Sequence, residues 1–336
     1  MAGAMLVAAL ALTGALSPAS AVPTPAPPGT PAPTGAVLDR VLTDRRIVES
    51  SGLAVSRRHE GVLWTHNDSG DAARLYAIGP DGSTLATVTL AGTQPRDWEA
   101  VASSVDADGT PLLWVGDIGD NLGARVGGLI VHRVEEPADL VDVEVEPTSY
   151  RLRYPGSPVD AESLLVDPRD GRLMLVTKTP AGAIVYAAPL PLDAAEPNPL
   201  EPLGEAPDFL TDGAFAPDGR MLVRGYGAMW AGDPERGWNG PVTLPPSDQG
   251  ESLAVSVDGT SMYVGSEGAR SEVWRVPLPA APSPDATTAP AAAPDWGRGA
   301  GHFAGHDGSA WAIPALIGGV TLLLGLALLL TRRLRR

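Results

Sequence analysis

Four carboxylates recur in one local setting in this chain, and their spacing suggests that they could work together. Glu99 opens EAVASS, Glu162 opens ESLLVD, Asp212 opens DGAFAP and Glu251 opens ESLAVS; a fifth copy, SGLAVS, opens on Ser51. Each copy is a small or acidic residue, a short apolar run and a polar turn, repeating at intervals of roughly 40 to 60 residues, as a β-propeller does. The first strand of a propeller blade lines the central channel, so equivalent residues on those strands would gather around one axis. Gathered like charges repel unless a cation or shared protons intervene. Calcium, a hard ion taking six to eight oxygens, suits Glu99, Glu162, Asp212 and Glu251 as ligands. Two other readings stay open: carboxylates that tie neighbouring blades by accepting backbone N–H bonds, and carboxylates that act directly in catalysis.

A second set of polar groups follows the second apolar run of each unit. It comprises His66, Asn67 and Asp68, then Asp117, Asp120 and Asn121, then Lys178, Arg224 and Glu267. HNDSGD and GDIGDN are internal counterparts in which glycine mixes with carboxylates and amides, although neither has the DxDxDG register of an EF-hand. Lys178 is the single lysine among 24 basic residues. With Arg224 it is a candidate to meet an anionic group beside the carboxylates. Asp97-Trp98-Glu99 sets an indole between two carboxylates, where Trp98 either covers a ligand at the channel mouth or seals neighbouring blades. Asn67, Asp68, Asp97, Trp98, Asp117, Lys178 and Arg224 are therefore the candidate ligand-binding residues. The histidines have no HExxH spacing, and His302 and His306, spaced HxxxH, fall in the expected stalk; the chain has no GxSxG elbow and no GxxxxGK[ST] loop. That disfavours zinc peptidases, α/β-hydrolases and P-loop enzymes.

These residues need elements to position them, and the expected fold is all-β. The first unit reads as runs at 51–56, 61–68, 73–78 and 83–90, the last two joined by the turn Gly79-Pro80-Asp81-Gly82. The second has runs from Glu99 and at 112–117, 129–134 and 150–154. The third has runs from Glu162, at 172–178 and 183–190, with a weak run near 200–203. The fourth has runs from Asp212 and at 221–226, 228–232 and 241–245. The fifth has only three, from Glu251 and at 261–267 and 272–278, whereas Val37–Leu42 stands alone ahead of the first. Pairing that orphan strand with the last unit closes a ring of four-stranded blades without an exposed edge. The count is five blades; six stay possible because the stretch from Glu99 to Glu162 has room for a degenerate unit, and a β-sandwich is the architectural alternative. Trp64, Trp114 and Trp274 fall in strand-like runs and are expected between sheets.

Residues 1–21 read as a secretory signal peptide ending in Ala19-Ser20-Ala21, and 22–36 as a Pro/Ala-rich spacer. The propeller spans 37–278, and a Pro/Ala/Gly-rich stalk spans 279–311. A transmembrane helix is expected over 312–331, followed by an Arg-rich tail at 332–336. Eighteen apolar residues reach roughly 27 Å, enough to cross a hydrocarbon core. The terminal arginines place the tail in the cytoplasm and the propeller outside, so the expected location is the cell membrane in a single pass, with the lipid bilayer as one partner. The 336 residues carry a formal charge of −16 and no cysteine. An acidic surface disfavours nucleic acid, and the lack of thiols excludes a disulfide scaffold and a cysteine nucleophile. Arginine in place of lysine, with abundant Ala, Pro and Gly, is the composition of a high-GC bacterial genome.

At HNDSGD, RDWEAVA, GDIGDN, DAESLLVD and QGESLAV, the chain resembles secreted bacterial propellers, among them the SdiA-regulated calcium-binding and the phytase-like esterase groups. The likeness covers about Leu38 to Leu278. Ser51-Gly52-Leu53-Ala54, Asn67-Asp68 and Asp97-Trp98-Glu99-Ala100-Val101-Ala102 occupy its characteristic places. The resemblance implies a propeller that binds calcium; the dense Lys/Arg set that a polyphosphate substrate needs is absent. Two functions are expected on this basis. One is a membrane-anchored module that binds an extracellular ligand or protein, stabilised by calcium; the other is a calcium-assisted hydrolase of phosphoesters or carboxyesters.

Overall fold

The computed structural model describes residues 35–120, 128–180 and 182–281. The expected signal peptide, transmembrane helix and cytoplasmic tail, and nearly all of the expected spacer and stalk, lie outside these residues. Among the described residues there is no helix long and apolar enough to cross a membrane.

Alternation decides the architecture. In Pro111–Asp117, Leu113 and Val115 face one neighbouring sheet while Leu112 and Trp114 face the other. Leu164 and Leu165 of Ala161–Val166 split in the same way. Side chains that alternate between two apolar environments need a sheet covered on both faces. Sheets stacked radially around an axis meet that need. The buried apolar residues accordingly form five clusters, one between each pair of adjacent blades. Each buried Leu or Val in them contributes about 1.5–3 kcal/mol relative to exposure. Trp64 and Trp114 lie in these clusters, and Trp274 packs against one.

The five inner strands are Ser50–Val55, Trp98–Val105, Ala161–Val166, Asp212–Phe215 and Gly250–Val255. Each touches the inner strands on either side, so the ring closes around a channel. Val37–Val41 pairs antiparallel with Glu272–Pro277 as the fourth strand of the last blade, which is the expected closure. The described residues between Glu99 and Glu162 form no sixth blade. Their surplus, Val143–Val145, runs parallel to the outer strand of the first blade, and Asn198–Pro199 likewise extends the second blade. The ring has five blades.

One turn buttresses the closure. Gly82 has φ +81°, and a side chain there would collide with the Val41 carbonyl; the Gly82 carbonyl in turn accepts the Thr43 N–H at 3.0 Å. Glycine is the residue that tolerates both the left-handed backbone and the close approach.

Candidate metal centre at the channel entrance

The repeated opening residue has a local structural meaning. Four of the five inner strands shift register at their start, around Ser51, Glu99, Glu162 and Glu251. A β-bulge adds an unpaired residue and re-aims its side chain. The shifts thus turn these side chains out of the normal alternation at the end of the channel where the inner strands begin. Asp212–Phe215 pairs without a shift. Its Asp212 bends back onto the backbone instead, Oδ1 accepting the Gly213 N–H at 2.7 Å and Oδ2 the Leu253 N–H at 2.6 Å.

Of the four expected ligands, two come together in a tight group. Oxygens of Glu99 and Glu162, joined by Asp160, lie within 4.8 Å of one another. Glu99 and Glu162 are buried and Asp160 half-buried. The Ser51 hydroxyl donates to the Glu99 main-chain oxygen at 3.2 Å and to its Oε2 at 3.4 Å. Glu99 Oε1 is buried without a hydrogen-bond partner. Asp97 flanks the group: a β-carbon on Gly119 would collide with Glu99 Oε1 and lie 2.6 Å from the Asp97 carboxylate. Asp97 is held there because Asp117 accepts the Arg96 and Asp97 N–H groups at 3.0 and 3.3 Å. Asp117 is thus a positioning residue. Asp160 Oδ1 accepts the Asp120 N–H at 2.6 Å.

Glu251 shares the field of one lysine with this group. The Lys178 ammonium donates to Glu162 Oε1 at 2.8 Å and lies 5.3 Å from the centre of the Tyr226 ring. Glu251 Oε1 accepts from Gln249 at 3.0 Å, while its Oε2 is buried without a partner. Burial pulls the ammonium down, but Glu162 and Glu251 outweigh it and hold Lys178 above the usual lysine range. Burial also pushes Glu162 up to about 8 against the pull of Lys178, with Glu251 and Asp160 adding to the rise. Glu99 is held well above the carboxylate range by burial, then by Glu162, Asp97 and Asp160. One ammonium does not neutralise this many buried carboxylates. Protons or a hard cation must make up the difference.

The remaining candidates serve structure. Arg224 is buried and gives its guanidinium to the carbonyls of Gly225, Ser252, Gly265 and Tyr226, which excludes it from meeting an anion; burial pulls it down to about 10. Asn67 accepts the Val48 and Glu49 N–H groups and donates to Arg46 and Asp71, so its amide is filled. Trp98 is a core residue rather than a channel lid, packed edge-on to His66 at 5.8 Å and beside His132 at 6.1 Å. Asp68 belongs to a separate acidic group with Glu49 and Glu267, where burial raises it to about 7.

Asp160 is the member of this acidic group that the repeat alone does not single out. Its signal is in the sequence: Asp97-Trp98-Glu99 and Asp160-Ala161-Glu162 share the pattern D-x-E, and the other inner strands do not. Because Asp212 is committed to two backbone N–H groups, Asp212→Asn is expected to cost about 1–2 kcal/mol in denaturant unfolding, leaving any cation response unchanged. A lost cation response in that variant would return Asp212 to the ligand set.

No family model matches the chain, and no curated protein matches it. Solved structures do resemble it. A gluconolactonase from Xanthomonas campestris is 14% identical, covering 71% of this chain and 89% of that one, with a TM-score of 0.45. A luciferin-regenerating enzyme is 13% identical over 73% of this chain and 96% of that one, also with a TM-score of 0.45. Virginiamycin B lyase from Staphylococcus aureus is 12% identical over 73% and 74%, with a TM-score of 0.38.

Proposed function

We propose that the chain is a membrane-anchored extracellular propeller that binds a divalent cation at the channel entrance and there receives a ligand or protein partner. Calcium fits the donor set, which is all oxygen and mostly carboxylate. The observation carrying this reading is Glu99 Oε1, buried without a partner in a group that Asp160 and Glu162 complete. An unpaired buried carboxylate oxygen is costly and calls for a cation or a proton. Asp97 and Asp160 are only half-buried, so a ligand arriving along the channel has access to the ion. Secretion by residues 1–21 and anchoring by 312–331 belong to the same proposal, and they set the entrance in the extracellular medium.

The test is a calcium titration of the full chain, purified in detergent, with unfolding followed by heat. A site filled to a hundred times its Kd adds about 2.7 kcal/mol. Glu99→Gln is expected to abolish the gain, and an unchanged melting temperature at millimolar calcium removes the cation from the proposal. A second reading, a cation-assisted hydrolase, draws on the same access and on the Lys178 ammonium beside the group. It predicts turnover of a phosphoester or carboxyester that Glu162→Gln eliminates; equal turnover by mutant and parent, or none by either, sinks it.

A further inference from the structure

Gly119 is bare where it meets the carboxylates of the channel entrance. A β-carbon on it would collide with Glu99 Oε1 and lie 2.6 Å from Asp97 Oδ2, and the three atoms closest to it all belong to those two carboxylates. Glycines of the inner strands have other reasons. A β-carbon on Gly52 would press on the Val101 main-chain nitrogen at 2.6 Å, and one on Gly213 on the Leu222 carbonyl at 3.0 Å, so close backbone packing accounts for both. The φ of Gly119 is not positive, so its backbone conformation does not call for glycine either. What the missing side chain leaves is room between the Asp97 carboxylate and Glu99 Oε1, the oxygen that is buried without a hydrogen-bond partner.

The segment that carries Gly119 also anchors the carboxylates around it. The Ile118 and Gly119 N–H groups donate to the Asp97 main-chain oxygen at 3.1 and 3.2 Å, and the Asp120 N–H donates to Asp160 Oδ1 at 2.6 Å. Residues 118–120 therefore meet Asp97 and Glu99 of the second blade and Asp160 at the start of the third. Carboxylates anchored to one stretch of backbone keep the spacing it gives them.

Building on the cation site proposed above, we propose that Gly119 determines its specificity: the bare Cα lets Asp97 join Glu99, Asp160 and Glu162 as a fourth carboxylate ligand, and the enlarged set selects calcium over magnesium. Calcium takes six to eight oxygens at about 2.3–2.6 Å in flexible arrangements. Magnesium demands near-octahedral geometry at about 2.0–2.1 Å and keeps several waters beside one or two carboxylates. A spaced set of four carboxylates suits the larger ion, and the methyl group of alanine would fill the room that two of them share.

Calorimetric titration of the full chain in detergent with calcium chloride and with magnesium chloride tests this. The parent is expected to bind calcium at least ten-fold more tightly than magnesium. Gly119→Ala should weaken calcium at least ten-fold while melting with the parent in chelator, and Asp97→Asn should weaken calcium and narrow the preference. Undiminished calcium affinity in either variant, or a parent that takes magnesium as tightly as calcium, overturns the inference and leaves the cation site standing. A Gly119→Ala protein that melts well below the parent in chelator assigns the glycine to packing and overturns it too. No calcium binding by the parent at millimolar concentration overturns both the inference and the site on which it rests.

Discussion

Lys178→Met is expected to cost the cation-free protein roughly 3–5 kcal/mol, the usual effect of removing one partner of a buried ion pair. The Lys178 side chain is 17% exposed and that of Glu162 2%, so solvent cannot replace the lost ammonium. Methionine keeps the length of the stem and its packing near Tyr226, which isolates the charge as the variable. Glu162 and Glu251 would then face each other with protons or an added ion as their only neutralisers. Calcium should therefore stabilise the variant more than it stabilises the parent. Urea unfolding of both proteins, in chelator and in calcium, measures the two effects together. A loss below about 1 kcal/mol in chelator, with an unchanged calcium response, would make Lys178 a bystander.

In chelator, stability is expected to fall as pH rises from 6.5 to 8, and calcium is expected to flatten the fall. Glu162 and Glu267 move from an ordinary value of 4.5 up to about 8, and Asp68 from 3.8 up to about 7, burial being the first cause in each. A group whose folded value is raised contributes stability that is complete below its unfolded value. That contribution is lost as pH climbs through the folded value. His66 works the other way: burial lowers it from 6.5 to about 4, so its contribution is present above 6.5 and lost on acidification. Burial lowers His132 in the same sense, so the histidine trend fades over roughly a pH unit above 6.5 and the fall from the carboxylates dominates the rest of the window. Lys178, raised from a value already far above this window, stays charged throughout. Each proton released in the window costs about 1.4 kcal/mol per pH unit. A melting temperature that is flat or rising between pH 6.5 and 8 in chelator would refute the neutral, proton-sharing state of the cluster.

The blades were legible because alternation and turn chemistry are local. Each inner strand announced itself by an acidic or small residue before an apolar run, and Gly79-Pro80-Asp81-Gly82 marked a hairpin outright. The closing strand was legible through a deficit, a last unit one strand short. The parallel additions Val143–Val145 and Asn198–Pro199 were not legible, since two or three residues carry no period and their partners are remote in sequence. At the site, equivalence in the repeat promised a ring of four carboxylates. The register shifts broke that equivalence, since Glu99, Glu162 and Glu251 sit at shifts where the pairing is interrupted while unshifted Asp212 caps backbone. Arg224 failed as an anion ligand for a similar reason. Its position in the repeat matches that of Lys178, but four carbonyls converge on it and only the three-dimensional packing reveals them.

The strand that closes the ring also sets the order in which the molecule can be completed. Val37–Val41 belongs to the last blade yet leaves the ribosome ahead of every other strand, and its partner Glu272–Pro277 follows all the others. The nascent domain therefore carries an unpaired strand through most of its synthesis, and the last blade forms late. Gly35 lies against Pro277, a β-carbon on it being 3.0 Å from Pro277 Cγ, so a short linker would join the two ends of the ring. Reopening such a circle at residues 246–248, which connect the fourth blade to the fifth and lie inside no hairpin, would let the last blade assemble from consecutive strands and divide no other blade. Circular permutation would thus convert the most non-local pairing of the fold into a local one and should speed the closing step of folding.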